Sequence, residues 1–312
     1  MGKEYKMIDL SKLKRYSLKS RKSLVRKEQF AVLLDEEGMM EDFFASLPDV
    51  LAVRTLKTLA RRIADAAKEG RGVLVMFGAH VLKCGLAPVL LGMAEKEMVS
   101  AFATNGASAV HDIEIAVAGR TSEDVGEAIE DGSFGMSEET ARLFAEAAEA
   151  GVEGGLGYAL GKLLSDKPNA SLSLFAQAYR LKTPVTVHCA IGTDIVHMHP
   201  ELNPAALGEA THKDFRKFCS VVADLEGGVV LNIGSAVVMP EVFLKALSVS
   251  RNITGKPVSF TAANLDIIHH YRPTQNILLR PKGEPFELIG HHEINLPLLY
   301  SAVLLAMRGR LK

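Results

Sequence analysis

Apolar residues recur at helical spacing over residues 40–47 and again over 50–68, where Leu51, Leu56, Leu59, Ile63 and Ala67 line one face of a predicted helix. Gly70 and Gly72 stop it. The period then changes. A continuous apolar run at 73–77 predicts a buried strand closed by Gly78-Ala79-His80, and a helix is predicted over 83–96. A second strand over 99–104, the turn Thr104-Asn105-Gly106 and a helix over 108–118 complete a βαβα unit. Such a unit favours a parallel sheet with right-handed crossovers.

Residues 120–136 are polar and glycine-rich and read as a surface excursion. Ser137 is placed as the N-cap of an amphipathic helix to residue 150, five glycines follow within 151–161, and 172–181 is a further helix. The alternation then restarts. Strands are predicted at 184–190, 229–233 and 258–262, with helices at 213–225 and 241–250, a short strand at 277–279 and a buried helix at 296–307. The expected fold is α/β: a Rossmann-like, doubly wound, mostly parallel sheet with helices on both faces. Residues 1–38 read as a basic arm and 39–312 as a single domain.

Composition narrows the function classes. A 48% hydrophobic and 23% charged chain is that of a soluble globular protein, and a net charge of −1 gives no electrostatic footprint for nucleic acid. No apolar run reaches the ~18–20 residues that span a bilayer, so no membrane partner is expected. Cys84, Cys189 and Cys219 are odd in number and far apart, which points to free thiols and a cytoplasmic setting. Residues 1–28 carry ten Lys or Arg against three Asp or Glu. That excess serves either a solvated lead-in or an arm that binds phosphate or a neighbouring subunit.

Each predicted strand ends in small residues: Gly78-Ala79, Thr104-Asn105-Gly106, Gly192-Thr193-Asp194, Gly234-Ser235-Ala236 and Thr261-Ala262-Ala263. On one sheet edge these turns would form a floor on which a dinucleotide approaches the backbone, although neither a Gly-x-Gly-x-x-Gly fingerprint nor a Walker A loop is present. His111 and Glu114, spaced i and i+3, share a helix face and suit either general acid–base work or a plain hydrogen-bonding role. Lys83, read in the first turn of its helix, either faces an anion or is an exposed lysine. His197-Met198-His199 with His188 and Asp194 has metal-ligating residue types, but their convergence is not implied by spacing, and no metal is expected. The adjacent pairs His269-His270 and His291-His292 make poor chelates and read as interface or surface residues.

In colinear order from Val73 to Met307 the chain resembles deoxyhypusine synthase. The family's strand ending in Thr-Thr-Ala-Gly-Gly, with a helix carrying Glu-Glu-Asp, is similar to the stretch from Thr104 to Asp112. Its Pro-Ala-Leu-Thr-Asp is similar to Ala190-Ile191-Gly192-Thr193-Asp194, and its Gly-Gly-Gly to Gly234-Ser235-Ala236. Its Thr-Ala with a later Asp matches Thr261, Ala262 and Asp266, and its closing Phe-Pro-Leu-Leu resembles Leu296-Pro297-Leu298-Leu299. The resemblance implies an NAD-binding fold assembled as a homo-oligomer, dimer or tetramer. It carries cofactor contacts over to Thr104, Asn105, Gly106, Asp112, Asp194, Gly234, Thr261, Ala262 and Asp266.

The substrate half of the family pattern departs. Where the family has a Trp-Gly-Lys segment preceded by acidic residues, this chain aligns Pro281 with the lysine, Leu279 with the tryptophan and Gln275 with an acidic position. Lys282, one position off, would be a displaced nucleophile. The family histidine falls on Pro240 or Glu241. Without the carboxylates a polycation loses its charge pairing, so deoxyhypusine synthesis is not expected. Residues 105–114 are also similar to the domain of lysine-oxoglutarate reductase/saccharopine dehydrogenase-like and ornithine-cyclising proteins, where NAD is a recycled redox catalyst on an amino acid. The expectation is an NAD-dependent enzyme acting on a small amino- or carboxylate-bearing molecule, with His111 and Glu114 in proton transfer and Lys83 or Arg272 on a carboxylate. Aminobutyl transfer through Lys282 and a non-catalytic NAD-binding or sensor protein are the alternatives.

Overall fold

The computed structural model describes residues 7, 11, 13–15 and 26–312 apart from 257, so most of the expected basic arm lies outside the described residues. Helix α1 (Met40–Ser46) and the amphipathic α2 (Leu51–Lys68) lead into β1 (Val73–Phe77). Then follow α3 (His80–Lys83), α4 (Ala87–Glu95), β2 (Ala101–Asn105) and α5 (Gly106–Ala118). A helical layer of α6 (Val125–Asp131), α7 (Glu138–Gly154), α8 (Leu156–Leu164) and α9 (Leu174–Arg180) precedes β3 (Val185–His188). The remainder is α10 (Pro204–Ala223), β4 (Gly228–Ile233), α11 (Val238–Thr254), β5 (Phe260–Asp266), the short α12 (Tyr271–Pro273), β6 (Glu284–Ile289) and α13 (His292–Met307).

All six strands are parallel, in the order β3-β2-β1-β4-β5-β6. The chain winds outward from β1 in both directions, so the carboxyl ends of β1 and β4 form the switch point at which a doubly wound sheet opens a crevice. Both faces are covered, which is why β1 reads as a continuous apolar run. Val73, Val75 and Phe77 join one core with Leu59 and Ile63 of α2 and Leu299 and Val303 of α13. Leu74 and Met76 join a second with Phe218 of α10 and Phe243 of α11.

Several predicted boundaries move, each for a local reason. The helix predicted over 83–96 is two: Gly85, at φ +71°, ends the first and Pro88 starts the second. The third strand of the second half runs Phe260–Asp266 rather than 258–262, because small Thr261, Ala262 and Ala263 are fully paired strand residues, not a turn. Residues 277–279 are not a strand. They close a π-helical turn, Thr274–Leu279, whose Ile277 and Leu278 complete the second core. The sixth strand is Glu284–Ile289, where Pro285 is tolerated because β6 is an edge strand.

Two close approaches hold the helical layer to the sheet. A Cβ on Gly157 would stand 2.0 Å from the Val185 carbonyl oxygen. Alongside, the buried Asp214 carboxylate accepts the amides of Gly157 (2.8 Å) and Val187 (2.9 Å), tying α8 to β3. Gly157→Ala is therefore expected to destabilise the fold by ~1–3 kcal/mol or more, since the facing atom is backbone and must shift to admit a methyl group. Gly208→Ala on α10, with nothing within 4 Å of the new methyl, should stabilise by up to ~1 kcal/mol. Urea unfolding of the two variants checks the contrast.

Candidate functional site

The carboxyl edge collects the ends of β1 through β6. At β2, the Thr104 hydroxyl donates to the Phe77 carbonyl (2.7 Å), clamping β2 to β1. Asn105 is the N-cap of α5, its Oδ1 accepting the Ser108 amide at 3.0 Å. The next position is not open. The Asp194 carboxylate lies over Gly106, so close that a Cβ there would stand 2.2 Å from Oδ2. The amides of Ala107 and Ala190 face this carboxylate, while burial raises its pKa. Asp194 Oδ2 has no hydrogen-bond partner, nor does the neighbouring His197 Nε2. His197 Nδ1 contacts the Asp194 carbonyl (3.0 Å), and His199 Nε2 contacts the Gly135 carbonyl (2.8 Å), pinning the 120–136 excursion to this end of the sheet.

At the switch point, Gly78 and Gly234 meet backbone to backbone. A Cβ on Gly78 would stand 2.1 Å from the Gly234 carbonyl oxygen, and Gly234 adopts φ +61°. His292, 2% exposed, covers this contact, its Nε2 2.7 Å from where a Gly234 Cβ would be. The His80 ring lies 5.8 Å from the His292 ring, centroid to centroid. Burial lowers the His292 pKa, with Asp266 opposing and His80 reinforcing the shift. At the end of β5, Asp266 is 4% exposed, its Oδ2 without a hydrogen bond and 3.9 Å from His270 Nε2. One residue inside the edge, Asn232 Nδ2 donates to Asn264 Oδ1 (2.8 Å), leaving Asn232 Oδ1 unpaired.

His111 and Glu114 do meet, through a residue the spacing did not reveal. Thr121 Oγ1 lies 2.6 Å from His111 Nδ1 and donates to Glu114 Oε2, and the direct His111–Glu114 separation is 3.6 Å. Burial works against the Glu114 charge, but hydrogen bonds from His111 and Thr121 hold its pKa below the usual carboxylate range. Glu114 and Thr121 also line a cavity of about 500 Å³ between α5 and α7.

Other expected residues are placed elsewhere. Asp112 is fully buried, and its carboxylate accepts from Ser173 Oγ and the amides of Leu174 (2.8 Å) and Phe175 (3.1 Å), holding the N-terminus of α9. Lys83 is an exposed residue in the last turn of α3, not the first, so it agrees with the helix dipole and signals no anion. Thr261 and Ala262 sit at the amino end of β5, where Thr261 Oγ1 faces Glu284. Lys282 precedes β6 and is exposed on that same amino edge, across the sheet from Gly234 and Asp266. It cannot reach a substrate at the carboxyl edge of its own chain. Arg272 pairs with Glu241 at 3.3 Å. His188 does not join His197 and His199: it is buried against Phe218, with Nε2 3.0 Å from Thr186 Oγ1. Among the described residues no group of three or more His, Cys, Asp or Glu is arranged to hold a metal.

The adjacent histidine pairs proved informative. One member of each, His270 and His292, turns toward Asp266 while His269 and His291 pair with Glu287 and Glu293 outside. A histidine directly after a strand-ending glycine, as in Gly290-His291-His292, was the available signal.

Burial alone pushes the His188 pKa down to about 3. The folded state therefore favours the neutral ring. Its contribution to stability is complete above the ordinary value near 6.5 and is lost as pH falls from there toward 3. His188→Gln should flatten the stability-versus-pH curve across that window, as measured by denaturant unfolding at stepped pH; an unchanged slope would contradict the buried neutral ring.

No family model matches the chain, and no curated protein matches it by sequence. Solved structures do. A conserved chain from Methanococcus maripaludis named for LOR/SDH aligns with a TM-score of 0.51 and 17% identity over 87% of this chain and 71% of its own. AgrE, in a ternary complex with ornithine and NAD+, aligns with a TM-score of 0.51 and 15% identity over 83% of this chain. The match spans only 34% of AgrE. A chain from Entamoeba histolytica named for deoxyhypusine synthase aligns with a TM-score of 0.50 and 14% identity over 87% of this chain and 95% of its own. These likenesses show a Rossmann-like α/β fold of the deoxyhypusine synthase type.

Proposed function

We propose that this protein is an NAD-dependent enzyme acting on a small amino- or carboxylate-bearing molecule bound along the carboxyl edge. One observation carries the reading. Among the described residues six buried side-chain polar atoms lack a hydrogen-bond partner, and four of them belong to this edge: Asp194 Oδ2, His197 Nε2, Asn232 Oδ1 and Asp266 Oδ2. Three are obligate acceptors in the ionised or amide form. Buried acceptors left unpaired are costly, so the edge is built for a ligand rich in O–H and N–H donors. Ribose hydroxyls and an amino group have that character. The fold is shared with AgrE, solved with ornithine and NAD+.

The residues fit NAD at the β1, β4 and β5 ends. Asp266 would accept from a ribose hydroxyl, and the bare Gly78–Gly234 contact lets a cofactor approach the backbone. Bound there, NAD would supply hydride acceptance. Proton handling falls to the chain itself. With Thr121 donating to Glu114, its oxygen is free to accept His111 Nδ1–H, which fixes the lone pair on Nε2. That nitrogen can take a proton, and Glu114 stabilises the imidazolium through Thr121.

Calorimetric titration with NAD+ tests the cofactor. Saturable binding is expected, weakened about tenfold or more (~1.4 kcal/mol) in Asp266→Ala at an unchanged melting temperature. No heat with either NAD+ or NADH would overturn the reading. Where a panel of amino acids and amines yields nicotinamide absorbance, His111→Gln should lower the rate ~100-fold or more. Thr121→Val should shift the pH dependence of the reaction rather than the binding of NAD.

A further inference from the structure

Three helices converge on the amino end of β3, the far end of that strand from the edge described above. Tyr158 stands in the first turn of α8, Tyr179 and Arg180 close α9, and Lys217 belongs to α10. Lys182, Thr183 and Pro184 then lead into Val185, the first residue of β3. These elements enclose a cavity of about 500 Å³, a size common among small-molecule sites. Its floor is rigid, because Gly157 and Val185 meet backbone to backbone with no room for a Cβ.

Two properties of the lining point to a ligand. The first is aromatic. The Tyr158 and Tyr179 rings meet edge to face, 5.4 Å apart between centroids and inclined at 67°, and the buried Phe175 lines the same cavity. Such a corner accepts a third ring by offset or edge-to-face contact. The second is charge. Arg180, Lys182 and Lys217 line the cavity and no carboxylate does. Among the described residues none of the three forms an ion pair. Arg180 donates to the Ser165 carbonyl (2.7 Å) and Lys217 to the Gly154 carbonyl, which leaves most of their N–H groups unused. Lys217 Nζ also lies 5.8 Å from the centre of the Tyr158 ring, so the aromatic and cationic features share one wall. Its charge acts on Asp214 as well, but that carboxylate is buried and does not line the cavity. Tyr158 borders a second cavity, about 770 Å³, where Glu146, Glu149, Glu153 and Asp166 outnumber Lys162 and Lys167. The sign of the field therefore reverses across one ring, and an anion is drawn to the side of Tyr179.

We propose that this cavity, walled by Tyr158, Tyr179 and Phe175 and rimmed by Arg180, Lys182 and Lys217, binds a small aromatic anion: one planar ring bearing a carboxylate or a phosphate. The ring enters the tyrosine corner, and the acid group meets the three cations. The neighbouring Tyr158 raises the Tyr179 pKa, which keeps a neutral O–H there as a further donor. Lys182 sits at φ +58°, a conformation that favours glycine, and among the described residues its ammonium has no partner. The site stands apart from the carboxyl edge, and it does not depend on the cofactor reading.

The test titrates the full chain with indole-3-acetate and with phenyl phosphate, following heat and tyrosine fluorescence. The chain has no tryptophan and six tyrosines, so ring contact at Tyr158 and Tyr179 is read directly. Saturable binding of at least one probe is expected, and the tighter of the two tells whether the acid is a carboxylate or a phosphate. Benzylamine, which has the ring with the opposite charge, and cyclohexylacetate, which has the charge without the ring, should each bind at least about fivefold more weakly. Tyr179→Leu and Arg180→Gln should weaken the better probe by about fivefold or more. Lys182→Gly should weaken it to a similar extent while leaving the melting temperature unchanged or raised, because glycine suits the backbone there. That opposition of affinity and stability separates binding from a general loss of fold. Failure of both probes to bind the wild-type chain overturns the proposal. So does binding that these three variants leave unchanged, or that benzylamine or cyclohexylacetate matches.

Discussion

The contact of Gly78 with Gly234 governs the rest of the molecule. Two parallel strands whose following helices leave on opposite faces must part at their carboxyl ends, and here the backbones touch just before they do. Any side chain at Gly78 would collide with the Gly234 carbonyl, and Gly234 itself holds a left-handed conformation that favours glycine. The β1 and β4 turns are thereby fixed, and with them the start of α11, the seat of His292 and the relation of β5 to the crevice. Asn232 Oδ1 and Asp266 Oδ2, without hydrogen-bond partners, lie at the β4 and β5 ends beside it.

Buried aspartates supply the second organising device. Asp112, Asp194 and Asp214 each come from one element and serve the helix start or strand of another, so each is a stitch between distant parts of the chain. Burial pushes the pKa of Asp112 up to about 6 and that of Asp214 up to about 7, even though backbone amides oppose the shift. These carboxylates are held at a cost in desolvation. What they return is geometry: α8, α9 and α5 are set against the sheet at defined depths.

The same device explains why site residues were only partly legible from the chain alone. Asp112 and Asp266 have the same chemistry in sequence, each a lone acid near a small-residue turn. One is consumed by α9 and the other keeps a free oxygen, and nothing local distinguishes them. Thr261 and Lys282 were misplaced for a related reason. Small residues mark both turns and tightly paired central strands, so a boundary error of a few residues carried Thr261 to the wrong edge of the sheet. Thr121, the bridge between His111 and Glu114, belongs to the following loop and is brought back along α5 only by folding.

What the chain determined by itself is the alternation of strands and helices and the parallel doubly wound sheet. Those follow from periodicity and from glycines that admit one backbone geometry, which are local properties. Tertiary structure decided which polar groups at the carboxyl edge remain free. Asp194 filled the α5 cradle and His292 came to cover Gly234 from the far end of the chain. Whether a donor or acceptor is satisfied depends on neighbours distant in sequence, and only packing brings those neighbours in.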